Sequence, residues 1–586
     1  MNYKLAISEL LAKCTSLPRE ELLAIIETPA DAKLGHMAFP CFRLSKELKK
    51  APPVIAGEIA AQLSENLPAW LAEVKATGPY VNFFFDRAVF AGSVLDEILT
   101  KGEKYGASGI GNGKNVVMDY SSPNIAKPFH VGHLGSTIIG LALDKIHRFL
   151  GYNVTSINYL GDWGTQFGKV IVAYKKWGSK EAVDAKGIDE LVELYVRFHD
   201  EADNDPALND EARSWVVKLQ EGDQEGLALW RWFVDLSLNE YKKLYERLNM
   251  QFDLFCGESN YNDKMDAAVE LVRKHGLLKE SDGAQIVDLD EYKMPPCLIL
   301  RSDGGTLYPT RDIAAAIDRF ERFNFHKSLY ITGQEQILHF AQFFKVLELM
   351  GYPWAKGLVH IPYGLFRFEH GKLSTRRGEV IKMEELLDEA VAKTKAIIEE
   401  KNPDLPNKDT VAEQVGIGAM IFNKLYTNRI KDTVFSWDLM LNFDGETGPY
   451  VQYAHARACS VLEKAGYASP PGQSVTTAPD NCRGDRPRSP GTADPSLLTE
   501  NEAFEVLRII YDFPAKIEEA AEKYEPFMIA RQLVALAQAF NSFYHHHIVL
   551  VDDQNLRQAR LALVAAVQTQ LEIGLKLLGM SAPRSM

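Results

Sequence analysis

The sequence predicts an α/β protein built around a doubly wound parallel (Rossmann-type) sheet, with further modules before and after it. Three observations support this fold class. Between about residues 115 and 385, short apolar runs typical of buried strands alternate with amphipathic helix patterns. The first run, Val116–Met118, is followed by polar residues and then by a helix pattern over 134–149. From about residue 386 onwards, helix patterns dominate.

The first 105 residues are predicted to form a separate α+β module. Helix patterns cover 6–26 and 53–67, and 73–85 is typical of a strand, a turn and a second strand. A short helix pattern at 43–50 carries four basic residues. This segment could face RNA, or it could be an ordinary solvated helix face, and the sequence alone leaves both interpretations open.

The sheet-containing domain is predicted at 106–385, after a Gly-rich linker. Its middle part, about 170–300, is long and mostly helical, and we interpret it as an insertion between the two halves of the sheet. Strand patterns return at 285–289, 297–300 and 328–332.

The remaining chain is predicted to be helical. Residues 386–450 are expected to link the sheet domain to an all-α domain at 451–586. Within that domain, 469–495 is rich in Pro, Ser, Gly, Thr and Asp, lacks periodicity and predicts a flexible loop.

Composition restricts the class of protein. The chain has 586 residues, 46% of them hydrophobic and 25% charged, which indicates several globular domains. No apolar run is long enough to span a bilayer, and the N-terminus lacks a secretion signal, so we expect no membrane association. Six scattered cysteines without a CxxC pair argue against disulfides or a zinc site and favour the cytoplasm. The net charge of −14 disfavours nucleic-acid binding unless a local basic face exists.

A histidine pair, His130 and His133, encloses Gly132 where the first predicted strand gives way to a helix. Nucleotides bind at this place in open α/β sheets, because a helix N-terminus offers unpaired N–H groups to phosphate. The imidazoles can donate hydrogen bonds to phosphate oxygens, and Gly132 leaves room for a flat base. Two ordinary histidines at a helix start remain the alternative. The stretch 121–133 resembles the HxGH signature of class I aminoacyl-tRNA synthetases.

A second segment, 371–378, contains Lys372 and Ser374 and resembles the KMSKS-type loop of the same enzymes, which contacts ATP. Thr375 stands where that loop has its second lysine. Arginyl-tRNA synthetases commonly lack this lysine and carry one shortly before HxGH. Lys127 occupies that position, three residues ahead of the first histidine. The resemblance therefore implies that Lys127 and Lys372 hold the ATP phosphates from two sides.

The resemblance to arginyl-tRNA synthetases covers nearly the whole chain. Besides the two signatures, it rests on the segments 158–168, 306–312, 333–336, 445–457 and 539–544. It implies an ATP-dependent ligase that makes arginyl-adenylate from L-arginine and transfers it to tRNA(Arg). It further implies Mg²⁺ bound with the nucleotide, with no dedicated metal site in the protein. We expect the enzyme to be a monomer.

Five residues are expected to bind arginine. A guanidinium group is planar and always charged, so its pocket needs carboxylates and other acceptors beside a flat side chain. The resemblance supplies Asp119 at a strand end and Asp312 at a helix start, although Asp312 could instead be a helix N-cap. Tyr308 and Gln336 are expected to add polar contacts, and Asn124 to hold the α-amino or carboxylate end.

The expected tRNA contacts lie near both ends of the chain. Aromatic side chains stack on unpaired bases in many RNA-binding proteins, but each of the three tyrosines in this set could equally be a core residue. By resemblance, the contacts are Asn82, Phe83, Tyr450, Tyr453, Tyr544 and Met586.

Two other functions remain open on the sequence alone. One is a different HxGH enzyme that adenylylates a small molecule, although such enzymes are small. The other is a non-catalytic tRNA-binding paralogue, which predicts the loss of signature residues that this chain retains.

Overall fold

The computed structural model describes residues 1–29, 31–302, 304–368, 381–467 and 493–586. The chain falls into two compact units. Unit 1 comprises Met1–Tyr105, Arg457–Asp512 and Ala535–Gln570, and unit 2 comprises Gly106–Ala456, Phe513–Val534 and Leu571–Met586. No helix within the described ranges is long and apolar enough to cross a bilayer.

The N-terminal part of unit 1 combines helices with an antiparallel sheet of order β1-β3-β2. Its elements are α1 (Tyr3–Leu11), α2 (Arg19–Ile25), β1 (Met37–Pro40), α3 (Leu44–Leu48), α4 (Pro52–Ser64), β2 (Leu71–Thr77), β3 (Tyr80–Phe85) and α5 (Arg87–Lys101). The single helix predicted over 6–26 is wrong, because the chain forms α1 and α2 instead. α1 ends at Leu11, and Pro18 is the N-cap of α2, since proline lacks an N–H group and disfavours helical backbone in the residue before it.

The structure buries Asn82 and Phe83, the two residues of this module that were predicted to contact tRNA. Both lie on β3, the central strand of the sheet, and are 3% and 0% exposed. Neighbouring strand residues face opposite sides of a sheet, so both sides are covered at this point. Their side chains are part of the core of unit 1 and do not present a surface to RNA.

Phe83→Ala should therefore lower the free energy of unfolding by about 3–5 kcal/mol, because it empties a packed core position. Chemical denaturation measures the change. Phe42→Ala is the matched control, because Phe42 is an exposed aromatic of the same module. A Phe83→Ala variant of normal stability that binds tRNA weakly would instead support the predicted tRNA contact.

Unit 2 contains the predicted parallel sheet. Its described strands pair in the order β11-β10-β4-β5-β6, all parallel. From β4 the chain moves to β5 on one side, and it later crosses to β10 on the other side. The gap between the carboxyl ends of β4 and β10 is therefore a topological switch point, where open α/β sheets bind ligands. The bounds are β4 (Asn115–Asp119), β5 (Asn153–Leu160), β6 (Leu254–Gly257), β10 (Lys327–Gly333) and β11 (Leu358–Tyr363).

The helices that accompany this sheet follow the predicted alternation. The helix predicted at 134–149 is confirmed with the same bounds. The insertion is mostly helical, as predicted. The helices up to residue 349 are α6 (Leu134–Phe149), α7 (Thr165–Trp177), α8 (Lys180–Lys186), α9 (Ile188–Asn204), α10 (Ala207–Gln220), α11 (Gln224–Arg247), α12 (Met265–Lys274), α13 (Tyr308–Phe323) and α14 (Ile337–Leu349).

Two features of the insertion differ from the prediction. The edge strand β6 lies inside the segment assigned to helices, and its four residues are too few to show a periodic pattern. The strands expected near 285–289 and 297–300 exist, but they form a separate antiparallel sheet. That sheet contains β7 (Leu278–Ser281), β8 (Ala284–Val287) and β9 (Cys297–Leu300).

The remaining described chain is mainly helical, as predicted. Its elements are β12 (Phe366–Phe368), α15 (Met383–Lys401), α16 (Lys408–Leu425), β13 (Thr433–Phe435), α17 (Trp437–Met440), α18 (Gly448–Lys464), α19 (Asn501–Lys523), α20 (Phe527–His546) and α21 (Gln554–Leu577). The flexible loop predicted at 469–495 lies outside the described residues except for 493–495.

Candidate functional site

The stretch between β4 and α6 is held in place by side chains of neighbouring elements. Its backbone enters the left-handed region at Ser121 and Ala126, with φ of 71° and 59°. Non-glycine residues rarely adopt this conformation, which costs of order 1–3 kcal/mol and is concentrated at functional sites. The Tyr241 hydroxyl on α11 lies 2.8 Å from the carbonyl oxygen of Asn124 and 2.7 Å from that of Lys127. The loop is therefore fixed from the side of the insertion.

The two histidines form a compact turn at the start of α6. The Nδ1 atom of His130 accepts a hydrogen bond from the Gly132 N–H (3.0 Å), and Nδ1 of His133 accepts one from the His130 N–H (3.2 Å). Burial lowers the pKa of His130, and nearby Lys127 lowers it further. Burial lowers the pKa of His133 to about 3. Both imidazoles are therefore neutral near pH 7, and each carries its proton on Nε2, where it can donate to a ligand.

Gly132 is required by the histidine turn itself. A Cβ atom at this position would lie 2.7 Å from Cε1 of the His130 ring, closer than real Cβ atoms approach other atoms. The imidazole of His130 therefore lies next to Gly132, beside the space that was predicted to hold a flat base.

The chain that follows the second signature segment returns to this turn. The Val131 N–H donates to the carbonyl oxygen of Ile381 (3.3 Å), and a further backbone hydrogen bond joins the two segments two residues later. The segment after residue 380 is therefore anchored beside the histidines. Lys372 and Ser374 themselves lie outside the described residues.

A cavity of about 380 Å³ lies at the switch point between β4 and β10. It brings together all five residues predicted to bind arginine, although they are spread over more than 200 positions. Its lining consists of Asp119, Ser122, Asn124, Tyr159, Gly161, Glu258, Tyr308, Arg311, Asp312, Tyr330, Thr332, Gln336, His339 and Phe340.

Asp119, at the end of β4, is already paired within the protein. Its Oδ2 accepts a hydrogen bond from Nη2 of Arg319 (2.7 Å), and its Oδ1 accepts one from the Ser122 hydroxyl (2.9 Å). Arg319 is buried, with its guanidinium 5.1 Å and 5.2 Å from the ring centroids of Tyr159 and Tyr330. Because both carboxylate oxygens have partners, Asp119 is poorly placed as a direct acceptor for a ligand.

Asp312 faces the cavity from the second turn of α13. The helix begins at Tyr308 with Leu307 as its N-cap, so the alternative that Asp312 caps the helix is wrong. Nε2 of His339, on α14, lies 2.6 Å from Oδ2 of Asp312. This contact leaves the other carboxylate oxygen for a ligand.

Glu258 is a third carboxylate at the cavity, and it was not among the residues predicted from the sequence. It follows β6 directly and forms an ion pair with Arg311 (2.9 Å). Burial raises the pKa of Glu258 to about 7, against the opposing charge of Arg311. An acidic residue directly after a strand is a signal for a site, but β6 itself was not predicted.

The residues predicted to contact tRNA from the C-terminal part have different environments. Tyr453 and Tyr544 are exposed and Tyr450 is half-buried, so the alternative that they are core residues is wrong for the first two. Met586 packs against a cluster on α15 and α16, and its carbonyl oxygen accepts a hydrogen bond from Nδ2 of Asn402 (3.2 Å). The chain end is thus fixed on unit 2.

Comparisons with known proteins agree with this organisation. Family models match the arginyl tRNA synthetase N-terminal domain at 1–85, the catalytic domain of class I (R) tRNA synthetases at 94–437 and the DALR anticodon binding domain at 451–586. Two curated relatives are named arginine–tRNA ligase. That of Alkaliphilus metalliredigens is 51% identical and that of Clostridioides difficile 49% identical, each covering 100% of both chains.

A solved structure shares the fold over the full length. The arginyl-tRNA synthetase of Thermus thermophilus matches with a TM-score of 0.81 and 26% identity, covering 100% of both chains. The family models and the full-length relatives together place the chain in the arginyl-tRNA synthetase family of class I aminoacyl-tRNA synthetases.

Proposed function

We propose that this chain is an arginine–tRNA ligase, which activates L-arginine with ATP and transfers it to the 3′ end of tRNA(Arg). The observation that carries the proposal is the acidic cavity at the switch point. It lies beyond β4, the same strand that leads into the histidine turn. The acidic cavity can bind the arginine cation and the histidine turn can bind the ATP phosphates. Their location beyond the same strand end suits a reaction between the two substrates.

Glu258 and Asp312 are the proposed acceptors for the guanidinium group. Two carboxylates that approach from different elements can satisfy a planar fork of donors, which a lysine ammonium cannot match. Lysine would leave a buried acceptor unpaired, and such sites discriminate by about 10⁴-fold. Tyr308 is 67% exposed at the cavity and offers a flat face. We assign Asp119 to holding Arg319 rather than to substrate contact.

The polar end of the substrate lies towards the histidine turn in this proposal. Asn124 and Gln336 line the cavity and can bind the α-amino and carboxylate groups. The Nε2–H groups of His130 and His133 would donate to ATP phosphate oxygens. Lys127 adds a positive charge close enough to depress the pKa of both histidines. Lys372 and Ser374 are assigned to ATP by the family resemblance alone.

The reaction needs no nucleophilic side chain. A carboxylate oxygen of arginine attacks the α-phosphorus of ATP, and the bond to the β-phosphate breaks with release of pyrophosphate. A terminal ribose hydroxyl of tRNA then attacks the carbonyl carbon, AMP leaves, and the hydroxyl proton passes to solvent. The positive charge of Lys127, the hydrogen bonds donated by the neutral histidines and positioning together supply the catalysis.

Mg²⁺ is expected to accompany ATP. The described part of the chain has no group of three or more His, Cys, Asp or Glu side chains placed to hold a metal. Mg²⁺ commonly relies on substrate phosphates and water for most of its ligands, so we propose that the nucleotide carries the ion. When bound, the ion would reduce the negative charge on the phosphates.

The tRNA is assigned to the surfaces that carry exposed aromatic residues. Tyr453 and Tyr544 can stack on unpaired bases.

The cavity and the histidine turn belong to one unit of one chain, so the proposed chemistry needs no second copy, which supports a monomer. Because its substrates are those of translation, we propose a cytoplasmic location.

The raised pKa of Glu258 predicts a pH-dependent arginine affinity. The carboxyl is neutral below about pH 7 in the free enzyme and charged above it. The KM for arginine should therefore fall as pH rises through 7, by up to about tenfold per unit on the acid side. Glu258→Gln should raise this KM and flatten its pH profile. Steady-state kinetics measure both, and an equal slope in the variant would contradict the assignment.

Arginine-dependent exchange of pyrophosphate into ATP tests the proposed function. The assay includes tRNA, because the family resemblance implies that adenylate formation requires it. We expect exchange with arginine but not with lysine or with citrulline, the neutral isostere of arginine. A different adenylylating enzyme would respond to another acid. A non-catalytic tRNA-binding protein would bind tRNA without exchange, and either result would refute the proposal.

A further inference from the structure

Lys424 is a buried lysine beyond the cavity and the histidine turn. It lies near the end of α16 and is 1% exposed. Its Nζ donates to the carbonyl oxygen of Gly364 (3.0 Å) and to the Thr433 hydroxyl (3.2 Å). The ammonium is also 5.0 Å from the ring centroid of Phe366 and 5.8 Å from that of Tyr363. Lysine is almost never fully buried without such partners.

The charge of Lys424 is retained near neutral pH. Burial lowers its pKa to about 8, and the negative charge of Asp432 opposes this shift. An ammonium group in this environment attracts the faces of aromatic rings, by up to about 2 kcal/mol when it is desolvated. The interaction is therefore stronger than a neutral donor would provide.

The partners of Lys424 belong to the two strands of a small parallel sheet. β12 pairs with β13 in the register Phe366↔Thr433, and the Thr433 N–H donates to the carbonyl oxygen of Leu365 (2.9 Å). Gly364 lies two residues before the first residue of β12. Lys424 thus holds the first residues of β12 and β13 together from the side of α16. In the sequence, Lys372 follows the end of β12 by four residues.

Another partner of Lys424 reaches the histidine turn. The Tyr363 ring packs on Gly135, where a Cβ atom would lie 2.5 Å from Cε2 of the ring. Gly135 is in the first turn of α6, two residues after His133. The helix that carries Lys424, α16, also packs against α6. Lys424 therefore contacts β12, which precedes the segment with Lys372. It also contacts Tyr363, which packs against the start of α6 beside the histidine turn.

We propose that Lys424 is a positioning residue for the ATP half of the site, which fixes β12 and Tyr363 relative to the start of α6. This inference rests on the proposed function. Lys424 does not touch substrate. It acts through the position of Tyr363 against the first turn of α6, which begins directly after His133, and small displacements of a binding segment weaken binding and catalysis.

Lys424→Met tests the proposal, because methionine fills a similar volume without a charge or a donor. We expect the KM for ATP in pyrophosphate exchange to rise about tenfold, with the KM for arginine changed less than about twofold. A purely structural role would lower the melting temperature or the fraction of active sites without separating the two KM values. Lys408→Met, at the half-buried first position of the same helix, is the matched control.

Lys424→Gln keeps the test decisive if the methionine variant does not fold. The amide can still donate to Gly364 and Thr433 but lacks the charge, so the KM for ATP should rise by about threefold. An unchanged ATP KM in the glutamine variant, or equal increases in the two KM values, would overturn the inference. Wild-type enzyme is assayed in parallel, since a wild type without arginine-dependent exchange would refute the proposed function instead.

Discussion

Asp312→Asn is expected to raise the KM for arginine by at least about 100-fold, because it removes the negative charge proposed to pair with the guanidinium. Asparagine keeps the volume and can still accept a hydrogen bond from His339. However, its amide group presents donors to a guanidinium that also carries only donors. The KM for ATP should change little, since Asp312 faces the cavity and not the histidine turn. Pyrophosphate exchange at varied arginine and varied ATP separates the two effects.

Asp318→Asn is the matched control for this variant. Asp318 lies on the same helix, α13, and pairs with Lys264 and Arg322 outside the set of cavity-lining residues. Its substitution should leave the KM for arginine within about twofold, because these two ion pairs do not contact the cavity. A near-normal arginine KM in Asp312→Asn would remove Asp312 from the guanidinium contacts.

The sequence was most informative where local signals agreed. The helix after the histidine turn was predicted with its observed bounds, because its apolar residues follow the helical period and Gly151 ends it with a φ of 83°. The strand end at Asp119 was predicted for a similar reason, since a buried apolar run stops there. Where local patterns conflicted, as over 6–26, the prediction of one helix was wrong, because α1 ends at Leu11 and a second helix begins after Pro18.

The partners of the site residues could not be predicted from the sequence. Arg319 is 200 positions from Asp119 and lies in an amphipathic helix, where an arginine would be expected to face solvent. Only the fold shows that it is buried and neutralises Asp119. Glu258 was missed because it follows an edge strand of four residues, which is too short to show a period. Residue pairs far apart in the chain and strands of a few residues thus leave no local periodic signal in the sequence.

This difference changes the electrostatic interpretation of the cavity. Two of its three carboxylates, Asp119 and Glu258, are paired with arginines of the chain. Asp312 contacts an imidazole, which is not a permanent cation. The cavity therefore retains negative charge that a single guanidinium can neutralise. Three unpaired carboxylates at this place would instead repel one another, which would destabilise the fold or favour binding of a divalent cation.

Lys127→Ala is expected to lower the rate of adenylate formation by about 100-fold while arginine binding survives, since it removes one charged group from the phosphate site. Single-turnover formation of the adenylate, measured beside equilibrium arginine binding, checks this result. Lys169→Ala is a close control, because Lys169 lies over the Phe198 ring of α9 at 5.7 Å much as Lys127 lies over Tyr195 at 5.9 Å. The two variants lose similar cation–ring contacts, so only a role at the phosphates explains a loss confined to Lys127. Equal rates in the two variants would exclude that role.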